Sequence, residues 1–399
     1  MSKYLVNTYP PLLQAKNEYG GNILHAAALG GNIDLFELLL GKGFDIKVNP
    51  HDGKNVIISR CMNGKHEICK YFVSIYPHLL HDTDTDGNNA LHAAVWGGNI
   101  NLFKFLLRKG FDINISENEG KTVLHFCCLN GQLDMFKYLV NTYPQLLDVK
   151  DNEGENALHA AALGGNLDML KFLLRKGFDI KTRGGDGKTA FHLCCMNGKL
   201  DICRFLIENY PHLLYIKDST GVNILDAAAW GGHVDLLKFL LGKDLNIKVS
   251  SDEGKTVLHF CCMNGKLDMC EYLAENYSLL LYIKDMFGLN VLHMAAWSGN
   301  IYLFKFLLEK GFDTKVSSID GKTVLHQCCL NGKLKMCKYL VHTYPQLLDV
   351  KDNDGVNVLH AAAWGGNIDL FNFLLEKDFD FKTTSDGKTV LHMFFTFVV

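Results

Sequence analysis

Apolar and polar positions along this chain fall into two short helical patterns that keep returning. Leu24-His-Ala-Ala-Ala28 opens a run whose apolar residues fill one short helix, and Ile33, Phe36, Leu39 and Leu40 fall at helical spacing in a second. A variant, Leu124-His-Phe-Cys-Cys128, opens the same pair of runs. The position of His25 returns as His92, His159, Asp226, His293 and His360, and the variant gives Ile58, His125, His192, His259, His326 and His392. Each series steps by a near-constant interval, and the two interleave about half a step apart. A fixed period of this kind, about 33 residues from one unit to the next, predicts stacked helix-turn-helix units rather than one globular core.

Local signals agree with that period. A turn ending in Gly (Gly20, Gly53, Gly87, Gly120) precedes each first helix. Two residues later stands Asn22, Asn89 or Asn156 in Ala-type units, and Thr122, Thr189 or Thr256 in Cys-type units, all good N-caps. Gly30-Gly31 or Asn130-Gly131 ends the first helix, and Asp34, Asp134 and Asp201 enter the first turn of the second, where the macrodipole favours negative charge. Ala-type units close with Lys-Gly-Phe-Asp-Ile (42–46, 109–113, 176–180), whose Gly reads as a left-handed C-cap. Cys-type units close with Tyr-Pro-x-Leu-Leu (76–80, 143–147, 210–214, 344–348), where Pro stops the helix and the Leu pair is expected to fold back onto the core. Residues 45–52 and their equivalents read as short extended fingers. The count is a half unit at 1–19, eleven complete units over 20–386 and a truncated unit at 387–399, forming a single solenoid over 1–399.

These residues resemble the ankyrin repeat, a 33-residue unit of a turn and two helices with a Thr-Pro-Leu-His-x-Ala signature. Asn22-Ile-Leu-His-Ala-Ala-Ala-Leu-Gly-Gly-Asn-Ile-Asp-Leu-Phe-Glu-Leu-Leu-Leu, followed by Lys42-Gly-Phe-Asp-Ile, aligns with that pattern without a gap. Ile, Val or Ala replaces the signature Pro in every unit, Cys-Cys replaces Ala-Ala in most Cys-type units, and Gly-Asn or Gly-Lys mostly replaces Gly-His, with Gly232-His233 an exception. The resemblance implies an all-α solenoid with short β-hairpin fingers, curved into an arc on the order of 100 Å long at a helix spacing of about 8–10 Å. It further implies a concave face that binds other proteins, and a histidine that caps its own helix and touches the adjacent turn.

Composition narrows the function. The net charge of −3 gives no basic footprint for nucleic acid or an anionic membrane. No apolar run approaches the length of a membrane-spanning helix, and the start Met-Ser-Lys-Tyr-Leu-Val-Asn lacks a signal-peptide core. Thirteen cysteines without an export signal point to free thiols in a reducing, cytoplasmic setting. No membrane insertion and no nucleic-acid partner are expected.

Three features imitate chemistry. Ten of the 17 histidines sit at the helix-opening position, one unit apart, too far to share a metal. Cys194-Cys195 with Cys203, Cys261-Cys262 with Cys270 and Cys328-Cys329 with Cys337 look like clusters, but adjacent helical residues point about 100° apart, which suits no C-x-x-C site. They read as a slightly larger Ala-Ala, since free Cys packs as a small hydrophobe. Gly185-Asp-Gly-Lys-Thr189 lacks the earlier Gly of a phosphate loop, because Thr182 stands there. No enzyme, cofactor or metal is expected. Leu106, Asp112 and Asn114 match the spacing at which ankyrin fingers are hydroxylated on asparagine, which makes Asn114 a candidate modification site.

One series carries the binding expectation: Leu29, Met62, Trp96, Leu129, Leu163, Met196, Trp230, Met263, Trp297, Leu330 and Trp364, at the last turn of each first helix. It is apolar in all eleven complete units and Trp in four. If these side chains reach the groove they form a line of anchors for a partner protein; if they tuck sideways they belong to the core. The expected function is a non-catalytic scaffold or adaptor. Its alternatives are the cytosolic repeat segment of a larger polypeptide, to which the mid-unit ends point, or a mechanical spacer. The uncovered apolar run Leu391 to Val399 predicts self-association through the C-terminal helix.

Overall fold

A computed structural model describes residues 81–377 without interruption, and before them 15–44 except 19, 56–62, 66–77 and the isolated residues 8 and 13. Two short strands, Thr384–Ser385 and Lys388–Thr389, complete the described part. The apolar C-terminal run 391–399, the side chain of Leu29 and residues 45–52 lie outside the described residues. The chain divides into two compact units, Met1–Ala190 and Phe191–Val399.

In the first unit, the first helices are Ile23–Gly30, Val56–Met62, Ala90–Trp96, Val123–Asn130 and Ala157–Gly164, each followed by an antiparallel second helix such as Ile100–Arg108 or Leu133–Thr142. Successive first helices pack side by side. In the second unit the same order runs through first helices Ile224–Gly231, Val257–Met263, Val291–Ser298, Val324–Leu330 and Val358–Trp364. The core lies between the two helix layers. Phe103 and Phe136 in the first unit, and Leu237 and Phe304 in the second, are fully buried from the second helices. Each such side chain, moved out of water, contributes on the order of 2 kcal/mol.

The caps form as their residues dictate. Asn89 Oδ1 accepts the backbone N–H groups of Leu91 and His92 at 2.9 and 3.2 Å, and Asn290 repeats this in the second unit. In Cys-type units the histidine completes the cap, because the Thr122 N–H donates to His125 Nδ1 at 3.2 Å. With Nδ1 accepting, the ring proton sits on Nε2, which donates to the Glu155 carbonyl at 3.3 Å. His125 therefore also stitches its unit to the next turn. Gly110 and Gly311 take the left-handed C-cap conformation with φ of 97° and 92°. After the second helices, 3-10 turns such as Pro144–Asp148 and Pro211–Tyr215 fold Leu146 and Leu213 into the core.

The fingers are held by single bridges such as Ser116↔Thr122 and Ser317↔Thr323. Their backbone groups bond elsewhere. Asp151 Oδ1 accepts the N–H groups of Glu153 and Glu155 at 3.0 and 2.8 Å, and the Asn152 N–H donates to the Glu119 carbonyl one unit back at 2.8 Å. In the second unit the Met286 N–H donates to the Glu253 carbonyl at 2.8 Å and the Asn353 N–H to the Asp320 carbonyl at 2.8 Å. A ladder from finger to finger thus adds to the hairpin bonds within each, such as the Asp151 N–H to the Glu155 carbonyl at 2.9 Å.

Candidate functional site

The last turn of each first helix decides where the apolar series points. Phe126, Cys127 and Cys128, just before Leu129, are buried, and so are Met294, Ala295 and Ala296 before Trp297. The series members themselves are not. Trp96, Trp297 and Trp364 are exposed at 47, 37 and 48%. Met62, Leu129, Leu163, Met196, Trp230, Met263 and Leu330 are half-buried.

The helix ends that carry them are fixed by the following unit. Gln132 Nε2 donates to the Trp96 carbonyl at 3.2 Å, and Asn264 Nδ2 donates to the Trp230 carbonyl at 2.7 Å. His233 Nε2 faces the Met196 carbonyl at 3.0 Å, the one Gly-His position of the repeat serving the same purpose. These bonds occupy carbonyls that a helix C-terminus otherwise leaves without a partner.

In the first unit this arrangement encloses a hollow of about 160 Å³ between three successive first helices. Its floor is Ile58, Ala93 and Phe126, its walls are Met62 and Trp96, and Asp84, Asp86, Asn88 and His92 close one side. The Trp96 indole leans on Phe126 of the next unit with ring centroids 6.1 Å apart. Trp96 thus packs sideways against the next unit and keeps an exposed face. Burial pushes the His92 imidazole down to about 4, against the weaker raising effects of the Ile115 backbone and Asp84, so its ring is neutral at pH 7. Asp84 spends its carboxylate on the turn, accepting from the N–H groups of Asp86 and Asn88 at 3.1 and 2.8 Å. Asp86 stands exposed at the rim.

Phe126 and Asp86 were not singled out in the sequence. The signal for Phe126 is an alternation of size on the first helix. Phe126, Leu193, Phe260 and Gln327 occupy in Cys-type units the place that Ala93, Ala160, Ala227 and Ala361 occupy in most Ala-type ones. Asn114 is exposed in its finger, with its backbone N–H and Nδ2 both donating to Asp112 Oδ1, at 2.9 and 3.2 Å. Among the described residues no helix is long and apolar enough to cross a membrane.

Known proteins similar to this chain match it over less than half of its length. A channel homologue from Caenorhabditis elegans, transient receptor potential cation channel subfamily A member 1, is 29% identical over 162 residues, 40% of this chain and 13% of its own length. The nuclear factor NF-kappa-B p105 subunit of Gallus gallus is 30% identical over 199 residues, 46% of this chain and 20% of its own length. A palmitoyltransferase of Lachancea kluyveri is 25% identical over 177 residues, 43% of this chain and 24% of its own length. The chain thus spans a quarter or less of each of these three relatives. A channel, a nuclear factor and an acyltransferase have no activity in common, so the likeness attaches to the repeats, which are protein-interaction modules. The family described as "Ankyrin repeats (3 copies)" matches in overlapping blocks from residue 24 to residue 385, and the chain belongs to the ankyrin-repeat family.

Proposed function

We propose that this chain is a non-catalytic scaffold that docks a protein segment carrying bulky apolar side chains spaced to successive units. One such side chain enters the hollow between Met62 and Trp96, with a basic neighbour over Asp86. The observation that carries this reading is the exposure of the series. None of its ten described side chains is buried, although the residues before each in its helix largely are. An array of Trp and Met on rigid helix ends is the composition of a binding surface, where such residues act as anchors.

The test is to select a displayed library of 12-residue peptides on the full chain and measure the winners on Trp96→Ala and Trp297→Ala. Loss of an anchor costs about 2 kcal/mol, roughly 30-fold in Kd. Winners rich in Trp, Phe or Leu beside Lys or Arg, weakened by that factor while the thermal midpoint barely moves, support the proposal. Variants that bind equally well, or that lose stability to the same extent as affinity, refute it.

The coverage of the relatives favours a second reading, in which these repeats serve as the binding segment of a longer polypeptide. The two channel relatives, from Caenorhabditis elegans and Homo sapiens, are matched over 13% and 17% of their lengths. Sequencing the full-length transcript decides it.

A further inference from the structure

In the second unit, three buried trios of cysteine repeat with the same geometry. Cys203 Sγ lies 3.2 Å from Cys194 Sγ and 3.8 Å from Cys195 Sγ. Cys270 Sγ lies 2.9 and 3.4 Å from the sulfurs of Cys261 and Cys262, and Cys337 Sγ lies 3.7 Å from that of Cys329. Within each trio all three sulfurs lie within 4.8 Å of one another, and every one of these residues is buried. Neighbouring helical residues leave the axis about 100° apart, yet the sulfurs of each Cys-Cys pair stay within 4.8 Å of one another, and the third sulfur, from the facing second helix (Leu200–Asn209 in the first trio), lies within the same distance of both.

The third position is distinctive. Its equivalents in other units include Phe36, Phe103, Phe136 and Phe304, or Leu170 and Leu237, all fully buried, and also Cys69, whose Sγ lies 3.7 Å from that of Cys61 in a unit with Arg60 in place of the first cysteine. Cys127 and Cys128 face Phe136 and form no trio. A thiol is several carbon atoms smaller than these side chains, so Cys203, Cys270 and Cys337 exchange apolar bulk for a third soft donor.

We propose that each trio is a three-coordinate site for a soft, monovalent thiophilic ion, copper(I). Three sulfurs about 2.3 Å from an ion stand roughly 4 Å apart in a trigonal set, so the closest pairs, 2.9 and 3.2 Å apart, need to open by about 1 Å and the widest by a few tenths. Thiolate sulfur selects copper(I) and zinc among the common ions. Structural zinc takes four ligands, whereas each trio supplies three in a buried place. Binding exchanges protons for the ion: three S–H bonds break, three protons leave to solvent and three Cu–S bonds form, with no change of oxidation state.

The test titrates the reduced full chain, without oxygen, with copper(I) in competition with bicinchoninate. Three ions per chain withdrawn from the competitor are expected, with a rise in the thermal midpoint. Cys203→Phe, Cys270→Phe and Cys337→Phe each restore the residue found at 136, and should lower the stoichiometry by one apiece at unchanged circular dichroism. X-ray absorption on the loaded chain should show three sulfur neighbours. Copper(I) left with the competitor, a stoichiometry indifferent to the three substitutions, or preferential retention of four-coordinate zinc overturns the proposal, the first leaving the trios as packing alone.

Discussion

His326 Nε2 donates to the carbonyl oxygen of Val356 at 3.1 Å, while Nδ1 of the same ring accepts the Thr323 N–H at 3.3 Å. One neutral imidazole thus closes its own helix and ties it to the next unit. His192 makes the same outward contact with Val222 at 3.2 Å. The neutral form is what the fold needs, and this sets the response to acid.

Burial lowers His92, His259 and His293 to about 4, against smaller raising effects of nearby backbone. Their folded values lie below the unfolded value near 6.5, so the unfolded chain binds more protons between those limits. The stability they contribute is complete above about pH 6.5 and is lost as pH falls through about 4, roughly 3 kcal/mol for each ring. Circular dichroism during acid titration should show cooperative unfolding inside that window. His293→Gln should make it shallower while lowering stability at pH 7. An unfolding midpoint below about pH 3.5 would contradict the role given to the ring.

Asp244 is the one non-glycine with positive φ among the described residues, at 60°. It stands where Gly110, Gly177 and Gly311 end their second helices at φ of 97, 93 and 92°. An L side chain there costs about 1 kcal/mol. Asp244→Gly should therefore raise the unfolding free energy by about that amount in urea, despite the added freedom of the unfolded chain. No gain would mean that the aspartate recovers the cost through contacts of its own.

Much of this was legible in the sequence, because ankyrin units are governed by local rules. Asn89, Thr122, Gly110 and the Leu146 turn announce themselves by residue type and spacing. What stayed hidden depended on the approach of two segments. The third sulfur of each cysteine trio lies on a facing helix. The direction of Trp96 depends on Phe126, in the following unit. Gly97, Gly164 and Gly231 read as helix stops, yet their backbones pass against the end of the preceding first helix.

That approach is a prediction in itself. A Cβ on Gly231 would overlap the Met196 carbonyl oxygen, and one on Gly164 would overlap that of Leu129. Neither glycine has a positive φ, so the clash alone is at issue. Gly231→Ala should destabilise by about 2–3 kcal/mol through a forced backbone shift. At the equivalent place the chain already carries Ser298, whose Oγ donates to the Ala295 carbonyl at 2.8 Å and accepts the Asn300 N–H at 3.1 Å, so Ser298→Ala should lose no more than these two hydrogen bonds, roughly 1–2 kcal/mol. Equal effects of the two substitutions would show that the units are spaced alike at both places.

Asp226 replaces the repeat's histidine. The structure shows the aspartate taking over the cap, with the Asn223 N–H donating to Oδ2 at 3.1 Å. Its Oδ1 is buried without a hydrogen-bond partner among the described residues. Burial raises the carboxyl to about 8, against the lowering effects of the Asn223 backbone and Lys217. The folded value exceeds the unfolded one, so the contribution to stability is complete below about pH 4 and is lost as pH rises through about 8. A shift of this size corresponds to several kcal/mol. Asp226→Asn keeps the shape and an acceptor for the Asn223 N–H but cannot ionise. Its thermal midpoint should already exceed that of the unaltered chain slightly at pH 5, exceed it progressively more up to about pH 8 and then level off, with the histidine titration common to both. A difference that stays constant across that range would mean that the carboxyl ionises without cost, and the cap at Asn223 would then need another explanation.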